Sequence, residues 1–227
     1  MKYIFFFLTI IGISVWMFRY WQTTLFFPNE GGFSEDVVLE QLNLDHDTLS
    51  ESLSHATNPS DTGTIFPQDR ITERVTKKPF GIFIDSKVSP VQPERFRGYH
   101  TGVDFETFDE EATINIPVRA ICDGEILEQR FVSGYGGVVV TSCAFDHQPV
   151  TVVYGHLAPT SFLLEIGNSI REGEELGMLG MGGSRETDGE RKHLHLGVHR
   201  GSVIDLRGYV PTERELAQWI NPTLLFR

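Results

Sequence analysis

The sequence predicts a mainly β domain, built on an antiparallel sheet, over residues 78–227. Short alternating or wholly apolar runs follow one another through this part of the chain, and turn residues separate them at close intervals. The 22 glycines and 17 phenylalanines of the 227-residue chain suit a core of strands and turns. Strands do not alternate here with helix-length periodic segments, as they would in βαβ units. We therefore expect an antiparallel sheet.

The individual strands are predicted at 82–84, 103–105, 118–121, 124–127, 137–141 and 150–154. Glycine recurs every few residues over 166–183, which predicts tight turns between very short strands. Thr212 and Glu215 match a capping box, so we expect a short C-terminal helix that runs through Trp219 and ends before Asn221-Pro222. We expect this helix to pack on the sheet without a chemical role.

An export segment is predicted at residues 1–27. Lys2 is followed by an apolar run over residues 3–18, and Arg19 closes it. No A-x-A-like pair of small residues follows the run, and the aromatic pair Tyr20-Trp21 favours a retained signal anchor over a cleaved signal peptide. A buried helix of a cytoplasmic protein is the remaining alternative. Either export route places the rest of the chain outside the cytoplasm.

Residues 28–77 are predicted to form an acidic, largely flexible tether. Residues 28–61 contain eight acidic residues and no Lys or Arg, which is two-thirds of the formal net charge of −12. The turn-forming stretch at 56–64 has little to bury, whereas 35–53 has the spacing of one short amphipathic helix. The negative net charge argues against a nucleic-acid partner, for which a basic surface is expected.

The two cysteines fit no zinc motif by their spacing. Cys122 and Cys143 flank a turn-like segment at 133–137, so they could face each other across a hairpin. An oxidising compartment would permit a disulfide between them. Two buried free thiols are an equally good interpretation.

Four histidines and one aspartate occur in three places that lie far apart in the sequence. His193 and His195 belong to an apolar run, and as alternate residues of a strand they would point the same way, roughly 6.6 Å apart. His100 and Asp104 lie among glycines that argue against a helix, and imidazole and carboxylate are both zinc ligands. His156 ends a β-rich run. Any one of these histidines alone would be unremarkable, but the set predicts a metal site.

Residues 78–226 resemble the lysostaphin/LytM-type zinc endopeptidases, which cut peptidoglycan cross-bridges. The similarity lies in the H-x-x-x-D of His100 and Asp104, in Tyr-Gly-His-Leu at 154–157 and in His-Leu-His-Leu at 193–196. Pro-Val-Arg-Ala, Asp-Gly-Glu-Ile and the glycine-rich segment between these motifs resemble the strands and turns of the family. The resemblance implies a LytM/lysostaphin-like sheet of the duplicated-hybrid-motif type.

The resemblance also implies a role for each residue. His100, Asp104 and His195 would bind one Zn²⁺ per chain. His156 and His193 would be an unliganded catalytic pair, with His193 assigned as the base and the two roles open to exchange. Two imidazoles and one carboxylate leave the fourth zinc position open, as catalysis requires. Water bound there has its pKa lowered from about 15.7 toward 7, and a neutral histidine can accept its proton.

The implied function is that of a zinc metalloendopeptidase hydrolysing peptide cross-links of bacterial peptidoglycan. The domain would lie at the extracytoplasmic or periplasmic face of the bacterial cell membrane, anchored by its N-terminal segment or secreted if that segment is cleaved. The alternative is a catalytically inactive LytM-type regulator of cell-wall hydrolases, although such relatives typically lack the metal ligands. One departure from the family pattern is the highly charged segment at 186–192, where a short Gly/Ser/Thr loop is usual.

Three further residues are weighed against the site. His199 lies about 13 Å along the strand from His195, so we expect it to be a bystander. His147 is interpreted as a turn residue. Tyr154 shares strand parity with His156 and is expected either to line the cleft or to pack in the core.

Overall fold

The computed structural model describes residues 66–226. The predicted export segment at 1–27, the helix proposed at 35–53 and the tether as far as residue 65 lie outside the described residues. Within 66–226, none of the helices combines the length and apolar character needed to cross a bilayer.

The domain is mainly β, as predicted. Its strands are β1 (Phe83–Ile84), β2 (Gly98–His100), β3 (Gly102–Glu106), β4 (Pro117–Arg119), β5 (Gly124–Val132), β6 (Gly136–Phe145), β7 (Gln148–Leu157), β8 (Ser169–Ile170), β9 (Glu175–Met178), β10 (His193–Arg200), β11 (Tyr209–Val210) and β12 (Trp219–Ile220). The described helices are α1 (Ile71–Arg74) and α2 (Glu213–Leu216), with 3₁₀ turns at Asp109–Glu111, Pro159–Ser161, Arg185–Thr187 and Pro222–Leu224. The predicted strands all form, several of them longer than expected.

The main sheet has the order β12-β10-β7-β6-β5-β8, and β3 pairs with β10 beside this path. All the described pairings are antiparallel. Two smaller sheets, β1-β2-β11 and β4-β9, accompany it. The β6–β7 hairpin turns at Asp146 and His147, whose φ angles of 49° and 62° suit a two-residue turn of the primed type. His147 is therefore a turn residue, as predicted.

Strand β10 lies at the centre of the fold and has two differently used faces. Leu194, Leu196 and Val198 are 0 % exposed and belong to the hydrophobic core. Burying side chains of this size contributes about 1.5–3 kcal/mol each, which fixes the register of the strand. Because strand side chains alternate, the same register places His193 and His195 together on the opposite face.

The packed domain begins earlier than residue 78, so the predicted tether is too long at its C-terminal end. Ile71 is buried in the core, and the Phe66 ring lies 5.5 Å from that of Phe226, centroid to centroid. Arg74 donates two hydrogen bonds of 2.7 Å to the carboxylate of Glu111. These partners are distant in sequence, and local composition could not reveal them.

The C-terminal helix is shorter than predicted. Thr212 caps α2 by accepting a 3.3 Å hydrogen bond from the Glu215 amide, but the helix ends at Leu216. Trp219 lies instead in β12, opposite His199 of β10. By pairing with Val198 and His199 of β10, β12 satisfies backbone hydrogen-bonding groups that a longer helix would have satisfied internally.

Cys122 and Cys143 form a disulfide, which resolves the alternatives left by the sequence. Their Cα atoms are 6.0 Å apart, and both residues are 7 % exposed. The bond joins the segment that enters β5 to the neighbouring strand β6.

Candidate metal centre

Three of the predicted residues meet in a buried cluster of metal-ligand atoms. Nε2 of His100 and Nδ1 of His195 are 3.1 Å apart, and each lies 3.2 Å from Oδ1 of Asp104. All three side chains are at most 4 % exposed. This is the group in the described part of the chain with the geometry to hold a metal ion.

Strand pairing between β3 and β10 positions two members of the cluster. Asp104 lies directly opposite His195 across the antiparallel pair. Gly102 lies two residues earlier on the same face, where a Cβ atom would come within 2.5 Å of the Leu196 carbonyl oxygen and 2.7 Å of His195 Nε2. The absence of a side chain there leaves room for the imidazole. His100 ends β2, and Thr101 alone separates it from the start of β3.

Hydrogen bonds outside the cluster orient both imidazoles. Nδ1–H of His100 donates to the Pro79 carbonyl oxygen at 3.2 Å, so Nε2 presents a lone pair to Asp104 in the neutral ring. Nε2 of His195 has the Tyr135 hydroxyl as its partner at 3.3 Å, which leaves Nδ1 facing the cluster. Two lone pairs and a carboxylate at these separations repel unless a cation lies among them. The donor set therefore fits a divalent zinc ion with outer hydrogen bonds fixing its ligands.

His156 reaches the same side of the sheet through a β-bulge. Gly137 and Val138 pair with Leu157 and Gly155 respectively, so His156 is an extra residue in β7. Its φ of 66° is left-handed, and bulges of this kind redirect a side chain.

Because of this bulge, Tyr154 and His156 lie on different faces of β7. The prediction that they share a face, made from the two-residue period of a regular strand, was wrong. Tyr154 lies opposite Leu196 in the core, 0 % exposed, and its hydroxyl accepts a 3.0 Å hydrogen bond from the Ile121 amide. The extra residue at His156 breaks the alternation of side chains. Of the two positions expected for Tyr154, the structure shows core packing.

His193 lies between His156 and the cluster. Its ring centroid is 4.2 Å from that of His156, and its Nε2 lies 3.2 Å from Asp104 Oδ2. Nδ1–H of His193 donates to the Arg191 carbonyl oxygen at 2.8 Å, so Nε2 is the nitrogen turned toward the site. Nδ1 of His156 is buried and has no hydrogen-bond partner within residues 66–226.

Burial controls the charge of the site. It lowers the pKa of His195 to about 4 and the pKa of His156 well below its usual range, in the latter case together with the nearby His193. Both rings are therefore neutral at pH 7. Burial opposes ionisation of Asp104, but His193 and His100 hold the pKa of that carboxyl well below its usual value. Among the ligand atoms, His195 thus offers a neutral nitrogen and Asp104 an ionised carboxylate, the protonation states that metal binding requires.

Two residues beside the cluster were not predicted from the sequence. Tyr135 packs against Gly155, where an added Cβ would lie 2.4 Å from the ring, and burial raises the pKa of its hydroxyl. Arg191 contacts Asp104 Oδ2 at 2.7 Å and also pairs with Glu106. Burial opposes its charge, but these two carboxylates raise the pKa of Arg191 above its usual range. The unusual charge of the segment at 186–192 was the only available signal for Arg191.

A cleft of about 310 Å³ opens over the histidines. Phe96 and Tyr209 form part of its wall with stacked rings, 5.3 Å between centroids. Arg97 contributes positive charge, whereas the charge of Arg207 is offset by ion pairs with Asp205 and Glu215. His199 lies outside this set, since its Nε2 is 3.9 Å from Asp205 and its ring contacts Trp219.

An antiparallel β domain with a buried His-Asp-His cluster and two adjacent unliganded histidines defines a site of the metallopeptidase class. Residues 98–206 match the model of peptidase family M23. These residues thus form a domain that matches a peptidase family.

Similar solved structures include the catalytic domain of the antimicrobial peptidase lysostaphin from Staphylococcus simulans, at 20% identity and a TM-score of 0.45 over 65% of this chain and 88% of that one. LytU is 19% identical, with a TM-score of 0.44 over 66% of this chain and 81% of that one. Csd3 of Helicobacter pylori is 25% identical, with a TM-score of 0.38 over 66% of this chain and 34% of that one. The comparison with curated protein sequences gave no match.

Proposed function

We propose that this protein is a zinc metalloendopeptidase that hydrolyses peptide cross-links of bacterial peptidoglycan. One Zn²⁺ per chain would be held by His100, Asp104 and His195. The observation that carries the proposal is the meeting of these three ligand atoms beside two histidines that are free of the cluster. Membership of the domain in a peptidase family supports the reaction class.

A bound zinc ion would supply Lewis acidity, activating a water molecule and polarising the scissile carbonyl group. His193 would accept a proton at Nε2, because its Nδ1 is engaged by the Arg191 carbonyl oxygen. His156 is kept neutral by burial and can hold the attacking water or donate a hydrogen bond to the oxyanion. After attack, the proton held at His193 Nε2 can pass to the leaving amine.

The size and lining of the cleft support the proposal that the substrate is a peptide. Its volume of about 310 Å³ and its partial opening to solvent suit a short extended segment rather than a fully enclosed small molecule. The aromatic wall formed by Phe96 and Tyr209 offers apolar contact to such a segment. Arg97 gives the cleft positive charge, which suits a carboxylate of a peptide stem.

The domain is proposed to work outside the cytoplasm, at the extracytoplasmic face of the membrane. The disulfide between Cys122 and Cys143 supports an oxidising compartment, and the sequence at 1–27 has the character of an export segment. Protease added to intact spheroplasts should digest the domain, and N-terminal sequencing should find the segment retained. Protection from protease would contradict export, and a cleaved terminus would replace the anchor with secretion.

The enzymatic proposal is tested with full-length protein on purified peptidoglycan. We expect new amino groups, identified by mass spectrometry of the muropeptides, to disappear with a chelator and return with zinc. His193→Ala should lower the rate by a factor of about 10² or more, as for loss of a general base. His199→Ala, on the same strand but outside the cluster, is the matched control and should retain activity.

A zinc-loaded native protein that releases no new amine from any cross-link would contradict the proposal. It would favour the inactive regulator of cell-wall hydrolases instead. Native activity in the His193→Ala variant would exclude the assigned catalytic role of His193 while leaving a different enzyme.

A further inference from the structure

Arg191 occupies an unusual place, between a metal ligand and a catalytic histidine. Its backbone carbonyl accepts the Nδ1–H of His193 at 2.8 Å, and its side chain reaches Asp104 Oδ2 at 2.7 Å. The guanidinium Nε also donates to both carboxylate oxygens of Glu106, at 3.0 and 2.9 Å. One residue outside the ligand set thus contacts two members of the site and is itself held by a third side chain.

Strand register brings these groups to one face. Glu106 lies directly opposite His193, and Asp104 lies opposite His195, across the β3–β10 pair. Arg191 lies two residues before β10 begins, and its side chain reaches this face through its contact with Asp104. The three side chains are largely removed from solvent, with exposures of 17 % for Arg191, 9 % for Glu106 and 2 % for Asp104. Burial makes their hydrogen bonds stronger and their geometry more restricted than at a surface.

The two oxygens of Asp104 have separate partners. Oδ1 faces His100 and His195, both at 3.2 Å, whereas Oδ2 faces Arg191 at 2.7 Å and His193 at 3.2 Å. A carboxylate held through one oxygen by a planar guanidinium cannot rotate freely, so its other oxygen stays directed at the ligand cluster.

Glu106 resolves an electrostatic difficulty. An isolated guanidinium beside Asp104 would add one positive charge next to a site for a divalent cation and would weaken binding. The carboxylate of Glu106 offsets that charge at hydrogen-bond distance, and it also pairs at 3.2 Å with Lys77, whose exposed ammonium group is screened by solvent. Arg191 can therefore orient Asp104 without raising the net charge of the site.

We propose that Arg191, held by Glu106, is a positioning residue that restricts Asp104 to single-oxygen coordination of the zinc ion. This inference depends on the proposed function, because it presupposes that the cluster binds zinc. The proposal assigns a specific role to a residue of the charged segment 186–192, which precedes the H-x-H motif. It also sets Arg191 apart from an ion pair that only joins β3 to β10.

The test uses the full-length protein with both charges removed together, as Glu106→Gln/Arg191→Gln. The net charge is then unchanged, so an altered zinc affinity reports orientation rather than charge. Competition with a chromophoric chelator should show a zinc dissociation constant raised about 10-fold or more, the usual range for loss of an outer-shell partner. Arg191→Lys keeps the charge but lacks the fork that bridges two carboxylates, and should weaken zinc binding as well.

A spectroscopic measurement separates orientation from strand pairing. Cobalt(II) substituted into the native protein should give the intense visible bands of a four-coordinate ion, and the double variant should give weaker bands as Asp104 becomes free to use both oxygens. Arg95→Gln/Glu190→Gln is the matched control. It removes, without a change in net charge, an ion pair of 2.7 Å that borders the same segment but contacts no ligand.

Each outcome is decisive. If native protein binds zinc and the double variant shows the same dissociation constant and cobalt spectrum, Arg191 only joins the strands and the inference fails, while the proposed function stands. Equal losses in the control variant would also overturn it. Failure of the native protein to bind zinc would overturn the proposed function and the inference together.

Discussion

The position of His156 depends on one additional residue in β7. Its side chain would face the core with Tyr154 if the strand alternated regularly, but the bulge turns it toward His193, 4.2 Å away between ring centroids. His156 is 4 % exposed and neutral, so it can act on a proton without the cost of a buried charge. The backbone conformation and the burial of His156 therefore suit it to a role in proton transfer.

Replacing His156 with alanine should therefore affect the reaction and not the metal. We expect the rate of peptidoglycan hydrolysis to fall by a factor of about 10² or more, because a positioned proton-transfer group is lost. Zinc content should stay at one ion per chain, since His156 is not in the ligand cluster. An unchanged rate would remove His156 from the mechanism, and a loss of zinc would make it a ligand.

The sequence predicted the relative positions of site residues that are close together in the chain. The spacing of His193 and His195 gives their common face directly from strand geometry, and the structure brings them together with His100, Asp104 and His156 as the resemblance implied. The contact of Arg191 with Asp104 joins residues 87 apart in the sequence. No local pattern encodes such a contact, so it could not be predicted.

At the scale of elements, the pairing of β3 with β10 does most to build the site. It places Asp104 opposite His195, and Gly102 permits the imidazole to lie close to the neighbouring backbone. The sequence predicted both strands. It did not predict the bulge in β7 or the pairing of β12 with β10, since each depends on partners supplied by the tertiary fold.

Gly102→Ala should damage both the fold and the site. A methyl group there would meet the Leu196 carbonyl oxygen at 2.5 Å and His195 Nε2 at 2.7 Å, so either the strands separate or the ring moves. We expect the free energy of unfolding to fall by about 1–3 kcal/mol, as for overpacking, and zinc to bind more weakly. Gly201→Ala is the control, because nothing lies within 4 Å of its Cβ and only its φ of +83° opposes alanine. The control should lose stability but keep its zinc affinity; equal zinc affinity in both variants would contradict the account.

The disulfide between Cys122 and Cys143 should stabilise the domain through its effect on the unfolded chain. It spans a sequence separation of 21 residues, for which restriction of the unfolded state is worth about 3 kcal/mol. Denaturant unfolding of the Cys122→Ser/Cys143→Ser variant should show a loss of this size. A native protein whose unfolding midpoint is the same with and without reductant would show that the bond does not form in solution.

On the scale of the whole molecule, a domain of packed strands surrounds the buried neutral rings of His156 and His195. Burial lowers the pKa of both rings, so the metal-free fold contains groups that resist protonation. The mainly antiparallel architecture was predicted from the spacing of apolar runs. The start of the domain was not, because Phe66, Ile71 and Arg74 find their partners far along the chain.

The stability of metal-free protein should consequently depend on pH between about 6.5 and 4. In the unfolded chain His195 takes up a proton below its ordinary pKa of 6.5, whereas in the folded protein its pKa is about 4. The unfolded state therefore binds more protons in this window, and the free energy of unfolding falls as pH falls, by on the order of 3 kcal/mol for this residue. His156 acts in the same direction.

Denaturant unfolding at pH 7 and pH 5 checks this expectation. The shifted acidic groups have ordinary values of 4.5 or below and contribute mainly under pH 5, so the histidines dominate the interval. His195→Gln removes one such group and should show a smaller decrease than the native protein. Equal native stability at the two pH values would contradict burial of neutral histidines.

The central claim is that three residues hold one zinc ion while two histidines beside them remain free. Equilibrium dialysis of five full-length alanine variants against limiting zinc measures this directly. We predict that the variants at His100, Asp104 and His195 lose the ion, whereas those at His156 and His193 retain one per chain. Retention of zinc by the first three variants, or its loss from the last two, would contradict the account.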